Sequence, residues 1–220
     1  MSHLNRFGRK TARSTRQFCL SLAIMRATLV TSFLLSITSQ AFAAKAYFAG
    51  GCFWCMEKPY EQLDGVHEAV SGFTGGQLPN PTYSGDHTGH YEAVEIDYDP
   101  SKISYEELLA VYWKNIDPFD DSGQFCDRGF SYRAAVFFSN EEERRLASQS
   151  KATLQSQLDG KGVNAAIVTP ILPVTEFWPV EEYHQDYYIK NPERYNRYKA
   201  GCGRVDRLKQ VWGQEYKDGL

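Results

Sequence analysis

Apolar residues recur at helical spacing over Tyr105, Leu108, Leu109 and Tyr112, and Ser104 with Glu107 forms a capping box in front of them. Together they predict a helix over 104–115. Strict alternation, with Val94 and Ile96 on one face, predicts a strand over 91–98, ended by Asp99 and Pro100. A short apolar run at 46–49 opens the pattern, and strands are also predicted over 66–73 and 132–138. Asn140 with Glu143 caps a helix over 141–158, whose charged and Gln-rich faces suit an outer position. Pro170 and Pro173 interrupt a strand over 165–174 and place it at a sheet edge.

Between these elements the pattern lapses. Residues 74–89 carry Gly75, Gly76, Pro79, Asn80, Pro81, Gly85 and Gly89, and residues 118–129 are rich in Asp and Gly. Loops of that length inside a domain are more often functional than filler, so the first is expected to wall a site. A helix carrying Tyr183, Tyr187 and Tyr188 is predicted within 177–190, followed by an irregular, flexible tail containing Gly201, Cys202 and Gly203. The order strand, helix, strand, strand, helix, strand is the split βαβ pattern. It predicts an α+β, ferredoxin-like two-layer sandwich with long irregular loops and an extended C-terminal tail.

Composition changes the picture at the N-terminus. Residues 1–43 hold Arg6, Arg9, Lys10, Arg13, Arg16 and Arg26 with no acid. An apolar run over 27–37 follows, and then Ala41, Phe42 and Ala43 supply a small, any, small cleavage pattern. This is the grammar of a signal peptide or export leader, with a membrane anchor as the alternative if it is not cleaved; the start at Met25 would by itself give a compact version. Export predicts a periplasmic or otherwise extracytoplasmic location. Six of the 24 cationic side chains and none of the 27 acids lie there, so residues 44–220, read as a single catalytic domain, carry a charge near −9. Such a surface argues against a nucleic-acid partner. Of the five cysteines Cys19 goes with the leader, which leaves Cys52, Cys55, Cys126 and Cys202.

Cys52 and Cys55 straddle Phe53 and Trp54 directly after the first strand and the pair Gly50, Gly51. A thiol at the first turn of a helix meets unpaired N–H groups and the positive end of the macrodipole, both of which favour thiolate. Cys55, one turn on, is within disulfide reach. Met56 in place of His excludes c-type haem attachment. A zinc site built from Cys52, Cys55, Cys126 and Cys202 lacks a repeated spacing, and no ligand pattern links His67, His87, His90 and His184. A thioredoxin-type dithiol remains open at this point, although Phe and Trp between the thiols suit it poorly; they suit an apolar cup for a methyl-sized group.

Gly51, Cys52, Phe53, Trp54 resembles the signature of the A-class peptide methionine sulfoxide reductases. The resemblance continues through residues 80–83, 88–92, 127–133 and 182–185 and covers nearly all of 46–200. It implies a thiol-dependent enzyme that reduces methionine-(S)-sulfoxide, free or in proteins, and so repairs oxidised proteins. By the same resemblance Cys52 is the nucleophile, Phe53 and Trp54 hold the S-methyl, and Tyr83, Glu92, Asp127 and Tyr132 surround the sulfoxide oxygen. Glu92 would be the proton donor, since a sulfoxide becomes electrophilic only as its oxygen is protonated.

The Cys52 sulfenic acid must then be resolved by a second thiol. Cys55 is expected to act first, because its separation from Cys52 is fixed whereas Cys202 must overcome loop-closure entropy. Exchange onward to Cys202 is the secondary expectation, and Cys126 is read as a semi-buried bystander. No metal or cofactor is expected, a thioredoxin-like protein is the expected electron donor, and the protein is expected to be a monomer.

Overall fold

A computed structural model describes residues 43–213 and Tyr216; the expected leader lies outside them except for Ala43. In chain order the elements are β1 (Ala44–Gly50), α1 (Phe53–Glu61), β2 (Val66–Thr74), β3 (Tyr91–Tyr98), α2 (Tyr105–Lys114), β4 (Gly123–Gln124), β5 (Asp127–Arg128), β6 (Ala134–Phe138), α3 (Glu141–Gly160), β7 (Ile171–Pro173), β8 (Trp178–Pro179), α4 (Tyr187–Lys190), α5 (Pro192–Gly201) and α6 (Arg204–Trp212). The main sheet runs β7, β6, β1, β3, β2, β8. β3 lies antiparallel between β1 and β2, and β6 is antiparallel to β1, as the split βαβ pattern requires.

Alternation along β3 sets the layers. Val94, Ile96 and Tyr98 point to the helices and join Phe48, Met56, Tyr60, Leu108 and Tyr112 in the main core. Tyr91 and Ala93 point the other way, to Ala49, Ala135 and Phe137, under a strap formed by Leu172, Val174 and Phe177. Phe48 is the hub of the helix side, its ring 5.5 Å from Tyr60 and 5.1 Å from Tyr112. Truncating it to Ala would cost about 3–5 kcal/mol. α2 carries the expected capping box, with Glu107 N–H donating to Ser104 Oγ and Ser104 N–H to Glu107 Oε2.

Three segments depart from the pattern reading. The predicted helix within 177–190 is instead β8, a 3-10 turn at Glu182–His184 and the single turn α4. β8 borrows its ladder from the edge of β2, and Asp186 turns left-handed at φ 51° while its N–H is taken by the buried Glu57. The strand expected over 165–174 keeps only Ile171–Pro173 in register, parallel to β6 and at the sheet edge. The tail is helical rather than irregular. Pro192 starts α5 at its first position, and α6 buries Arg204, Leu208 and Trp212 against the body. Sequence pattern missed this because the buried face of α6 includes a cation, Arg204, beside Leu208 and Trp212, and both tail helices are otherwise polar. Among the described residues no helix is long and apolar enough to cross a membrane.

Candidate active site

β1 ends on Gly50 and Gly51, and both glycines are dictated by what surrounds them. A Cβ on Gly50 would lie 2.5 Å from Met56 Sδ; Gly51 turns at φ +83°, with Gln124 Cβ 2.7 Å from where its own would be. The tight turn delivers Cys52 as the N-cap of α1, with Cys55 one turn inside it. Both thiols are free and buried.

They share a proton. The hydrogen bond from Cys52 lowers the Cys55 thiol to about 7 against the opposing effect of its burial, helped by the Arg204 and Lys199 cations. Burial pushes Cys52 up, and the same hydrogen bond adds to it. One thiolate is therefore accessible near neutrality, resting on Cys55. Moving the shared proton across the hydrogen bond puts the charge on Cys52, where the helix N-terminus favours it.

Glu92 is the second residue of β3 and lies on the helix-facing side. This places it beneath the start of α1, where Oε2 accepts the Phe53 N–H at 3.3 Å. It is 1% exposed, and burial raises its carboxyl from 4.5 to about 8, partly offset by the Phe53 N–H and a hydrogen bond with Tyr132. A neutral carboxylic acid thus sits beside the thiols at pH 7. Tyr83 comes from the loop between β2 and β3 and Tyr132 from the 3-10 turn before β6. Burial raises both phenols, Tyr83 to about 12, and both feel Glu92 and Cys52. The long loop does wall the site, as its composition suggested.

Trp54 is held on several sides. Its indole lies 3.7 Å from the Tyr187 ring and parallel to it, meets Tyr198 edge-on at 5.8 Å, and donates Nε1–H to His184 Nδ1 at 3.0 Å. Burial lowers His184, so the ring is neutral, and acceptance at Nδ1 puts its proton on Nε2. Phe53 is 1% exposed and lies 5.4 Å from His184 and 6.1 Å from Tyr83. This is an aromatic-walled space beside a thiol pair and an acid.

Asp127 joins the site from the β4–β5 hairpin, whose two-residue tip is Phe125, at φ 57°, and Cys126. Its carboxylate accepts the Tyr198 hydroxyl, which also hydrogen-bonds Cys52. The reading of Cys126 as a semi-buried bystander is overturned. It is exposed at the hairpin tip and disulfide-bonded to Cys202 at the end of α5, with Cα atoms 4.9 Å apart. The hairpin turn lifts Cys126 out of the body and the ordered tail brings Cys202 to it. Cys126, Asp127 and Cys202 are metal-ligand types in one place, but both sulfurs are committed to each other.

The structure therefore brings together Cys52, Phe53, Trp54, Cys55, Tyr83, Glu92, Asp127 and Tyr132, and holds Cys202 apart in its own bond. It adds Tyr198, Tyr187, His184 and Arg204. Arg204 donates to Gly50 O at 3.2 Å and Asn115 O at 2.7 Å, lies 4.5 Å over the Phe125 ring, and makes no ion pair among the described residues. Tyr195, Tyr198 and Cys202 at i, i+3 and i+7 after Pro192 were the available signal for a helix face turned to the site.

A family model described as peptide methionine sulfoxide reductase matches residues 44–216. The peptide methionine sulfoxide reductase MsrA of Bacillus licheniformis is 49% identical over 177 residues, 79% of this chain and 96% of that protein. MsrA 2 of Caulobacter vibrioides is 48% identical over 187 residues, covering 82% and 93%. Among solved structures, methionine sulfoxide reductase A of Corynebacterium diphtheriae aligns with a TM-score of 0.64 at 32% identity, over 70% of this chain and 77% of that one. The reduced form of Mxr1 from Saccharomyces cerevisiae aligns at 0.61 and 28%, over 69% and 87%.

Proposed function

The chain belongs to the peptide methionine sulfoxide reductase family, an oxidoreductase family acting on methionine sulfoxide, and we propose that it reduces the S epimer, free or in proteins, through a Cys52 sulfenic acid. The observation that carries this reading is Glu92: a carboxyl raised to about 8, fixed at the Phe53 N–H beside a buried thiol.

In the proposed sequence the substrate S-methyl enters between Phe53 and Trp54, and its oxygen faces Glu92, Tyr83 and Tyr132. Cys55 takes the Cys52 proton and Cys52 attacks the sulfoxide sulfur. Glu92 protonates the oxygen as the S–O bond weakens, while the two raised phenols remain hydrogen-bond donors without adding charge. The hydroxyl then passes from the substrate sulfur to Cys52 as the transient S–S bond breaks, so methionine leaves with two more electrons and Cys52 is left as S–OH. The Cys55 thiol then attacks the sulfenic sulfur, forming Cys52–Cys55 and expelling water. A dithiol protein of the thioredoxin class restores the thiols. No metal or cofactor is called for.

The grammar of residues 1–43 supports a protein that repairs oxidised proteins outside the cytoplasm, and we propose that it does so as a monomer. Cell fractionation and sizing of the exported chain test those two points: a cytosolic or stably dimeric protein overturns them. For the chemistry, resolved epimers of methionine sulfoxide are offered to the protein lacking residues 1–43. Turnover of the S epimer that falls as pH rises through about 8 is expected. A rate that is flat in pH and unchanged by Glu92→Gln removes Glu92 from the role of acid.

A further inference from the structure

α1 carries a buried acid that the chemistry above leaves unused. Trp54, Glu57 and Glu61 fall at i, i+3 and i+7, so they lie on one face of that helix. We propose that Glu57 is a positioning residue, which holds the segment 182–190 against this face and so fixes the rings that wall Trp54. The proposal rests on the reading above in which Trp54 forms one side of the methyl site.

The segment is fastened to the helix at each of the three residues. Trp54 Nε1–H donates to His184 Nδ1 at 3.0 Å, and its indole stacks on Tyr187. The Asp186 N–H donates to Glu57 Oε1 at 3.1 Å, and the Tyr188 hydroxyl donates to Glu61 Oε2 at 2.6 Å. A second tie runs to β2, where the Ser71 N–H donates to Gln185 Oε1 at 2.8 Å and Gln185 Nε2 donates to Ser71 O at 2.9 Å. Of these bonds the one from Asp186 governs the path of the backbone. Asp186 is left-handed at φ 51°, a conformation that is uncommon outside glycine and persists where the surroundings hold it. Tyr187 follows at once as the first residue of α4, so the turn at Asp186 sets where its ring meets the indole.

The residue type points the same way. Glu57 is 1% exposed, its Oε2 has no hydrogen-bond partner, and the nearby Ser71 hydroxyl is likewise buried and unpartnered. Burying an unsatisfied carboxyl oxygen is costly, and an apolar side chain would fill the space at lower cost. What Glu57 supplies in return is the acceptor for the Asp186 N–H. Burial raises its carboxyl to about 8 against that N–H, and the charges that face it, Glu61 on its own helix and Asp186 on the segment, add to the shift; Lys190 lies 3.6 Å from the Asp186 carboxylate. At pH 7 Glu57 is therefore a neutral acid, which a glutamine amide matches in shape, charge and acceptor.

Steady-state rates with methionine sulfoxide and dithiothreitol are measured for the full chain and for its Glu57→Gln and Glu57→Leu variants. Glu57→Leu removes the acceptor, and KM is expected to rise about tenfold with kcat within about threefold; Glu57→Gln should return KM to within about threefold of wild type. His184→Phe removes the acceptor of the same indole. Combined with it, Glu57→Leu should raise KM by less than the product of the two separate increases, because both act through Trp54. A wild-type KM in Glu57→Leu, or increases that multiply in full, overturns the proposal. So does a Glu57→Gln variant whose kcat no longer falls through about pH 8, since the titrating acid would then be Glu57 itself and not Glu92. Amide exchange of the wild type decides the matter even if Glu57→Leu does not fold: the Asp186 N–H should be protected at least about a hundredfold relative to an unstructured amide, and free exchange there overturns the clasp. Failure of the wild type to turn over methionine sulfoxide would remove the proposed function instead, so the two readings fall separately.

Discussion

The two sulfur pairs differ in every property that controls a thiol. Cys52 and Cys55 lie three residues apart on one helix, are 6% and 3% exposed, and are enclosed by aromatic rings. Cys126 and Cys202 are separated by 76 positions and meet at a hairpin tip and a helix end, with one sulfur in solvent. Burial gives the inner pair what sulfenate chemistry requires: a shared proton, a neutral acid and little water. Exposure gives the outer pair access to another protein. Closing a loop of this length stabilises the fold by about 4 kcal/mol, but Leu208 and Trp212 anchor α6 independently, so reducing the outer bond need not unfold the tail.

The largest expected effects fall on the inner pair. Cys52→Ser should abolish methionine release, because Cys55 lies one turn further inside α1 and the outer sulfurs are bonded to each other. Residual turnover above about 0.1% of wild type, measured by chromatography of methionine, would mean that a second nucleophile serves the site. Glu92→Gln should lower the rate of methionine release by about 10²–10³. The sign of its pH dependence follows from its raised carboxyl: the acid form persists up to about 8, so the wild-type rate is highest below that pH and falls above it, and the Gln variant should lose that descending limb. A variant that retains it would place the titrating group elsewhere.

The walls of the site rank next. His184 is neutral and accepts the Trp54 N–H at 3.0 Å, so its job is to fix the indole that forms one side of the methyl cup. His184→Phe keeps the ring packing and removes the acceptor. KM is expected to rise about tenfold with kcat within about threefold, the signature of lost uniform binding. A fall in kcat with KM unchanged, in steady-state assays with methionine sulfoxide, would instead put His184 in the transition state.

The same contrast explains what the sequence could show. The inner pair was legible because its determinants are local: a glycine pair, an N-cap thiol and a partner one turn on; Glu92 was reached only through the family resemblance, since an acid in a strand reads by itself as solvent-facing. The outer pair was not, because Cys126 and Cys202 carry no local signal and meet only after a hairpin and two tail helices are in place. The helix expected across Tyr183, Tyr187 and Tyr188 failed for a related reason. Tyr187 and Tyr188 answer to Trp54 and Glu61, on another element, while Tyr183 is exposed beside His184.

Tyr198 tests the boundary between the two regions and should show the smallest effect. Its hydroxyl is shared between Cys52 and Asp127, and burial with the neighbouring Cys52 and Asp127 charges raises it, so it stays a donor throughout the working pH range. Tyr198→Phe removes one hydrogen bond while keeping the edge contact with Trp54. At roughly 1 kcal/mol that is a three- to tenfold change, and the step on which it falls is informative. If Tyr198 supports the nucleophile through its hydrogen bond to Cys52, the first methionine is released more slowly from reduced protein by that factor. If its hydroxyl serves only the Asp127 carboxylate, the first release keeps its wild-type rate. Quenched-flow measurement of that release separates these outcomes, and only the first agrees with a tail helix that takes part in the inner site.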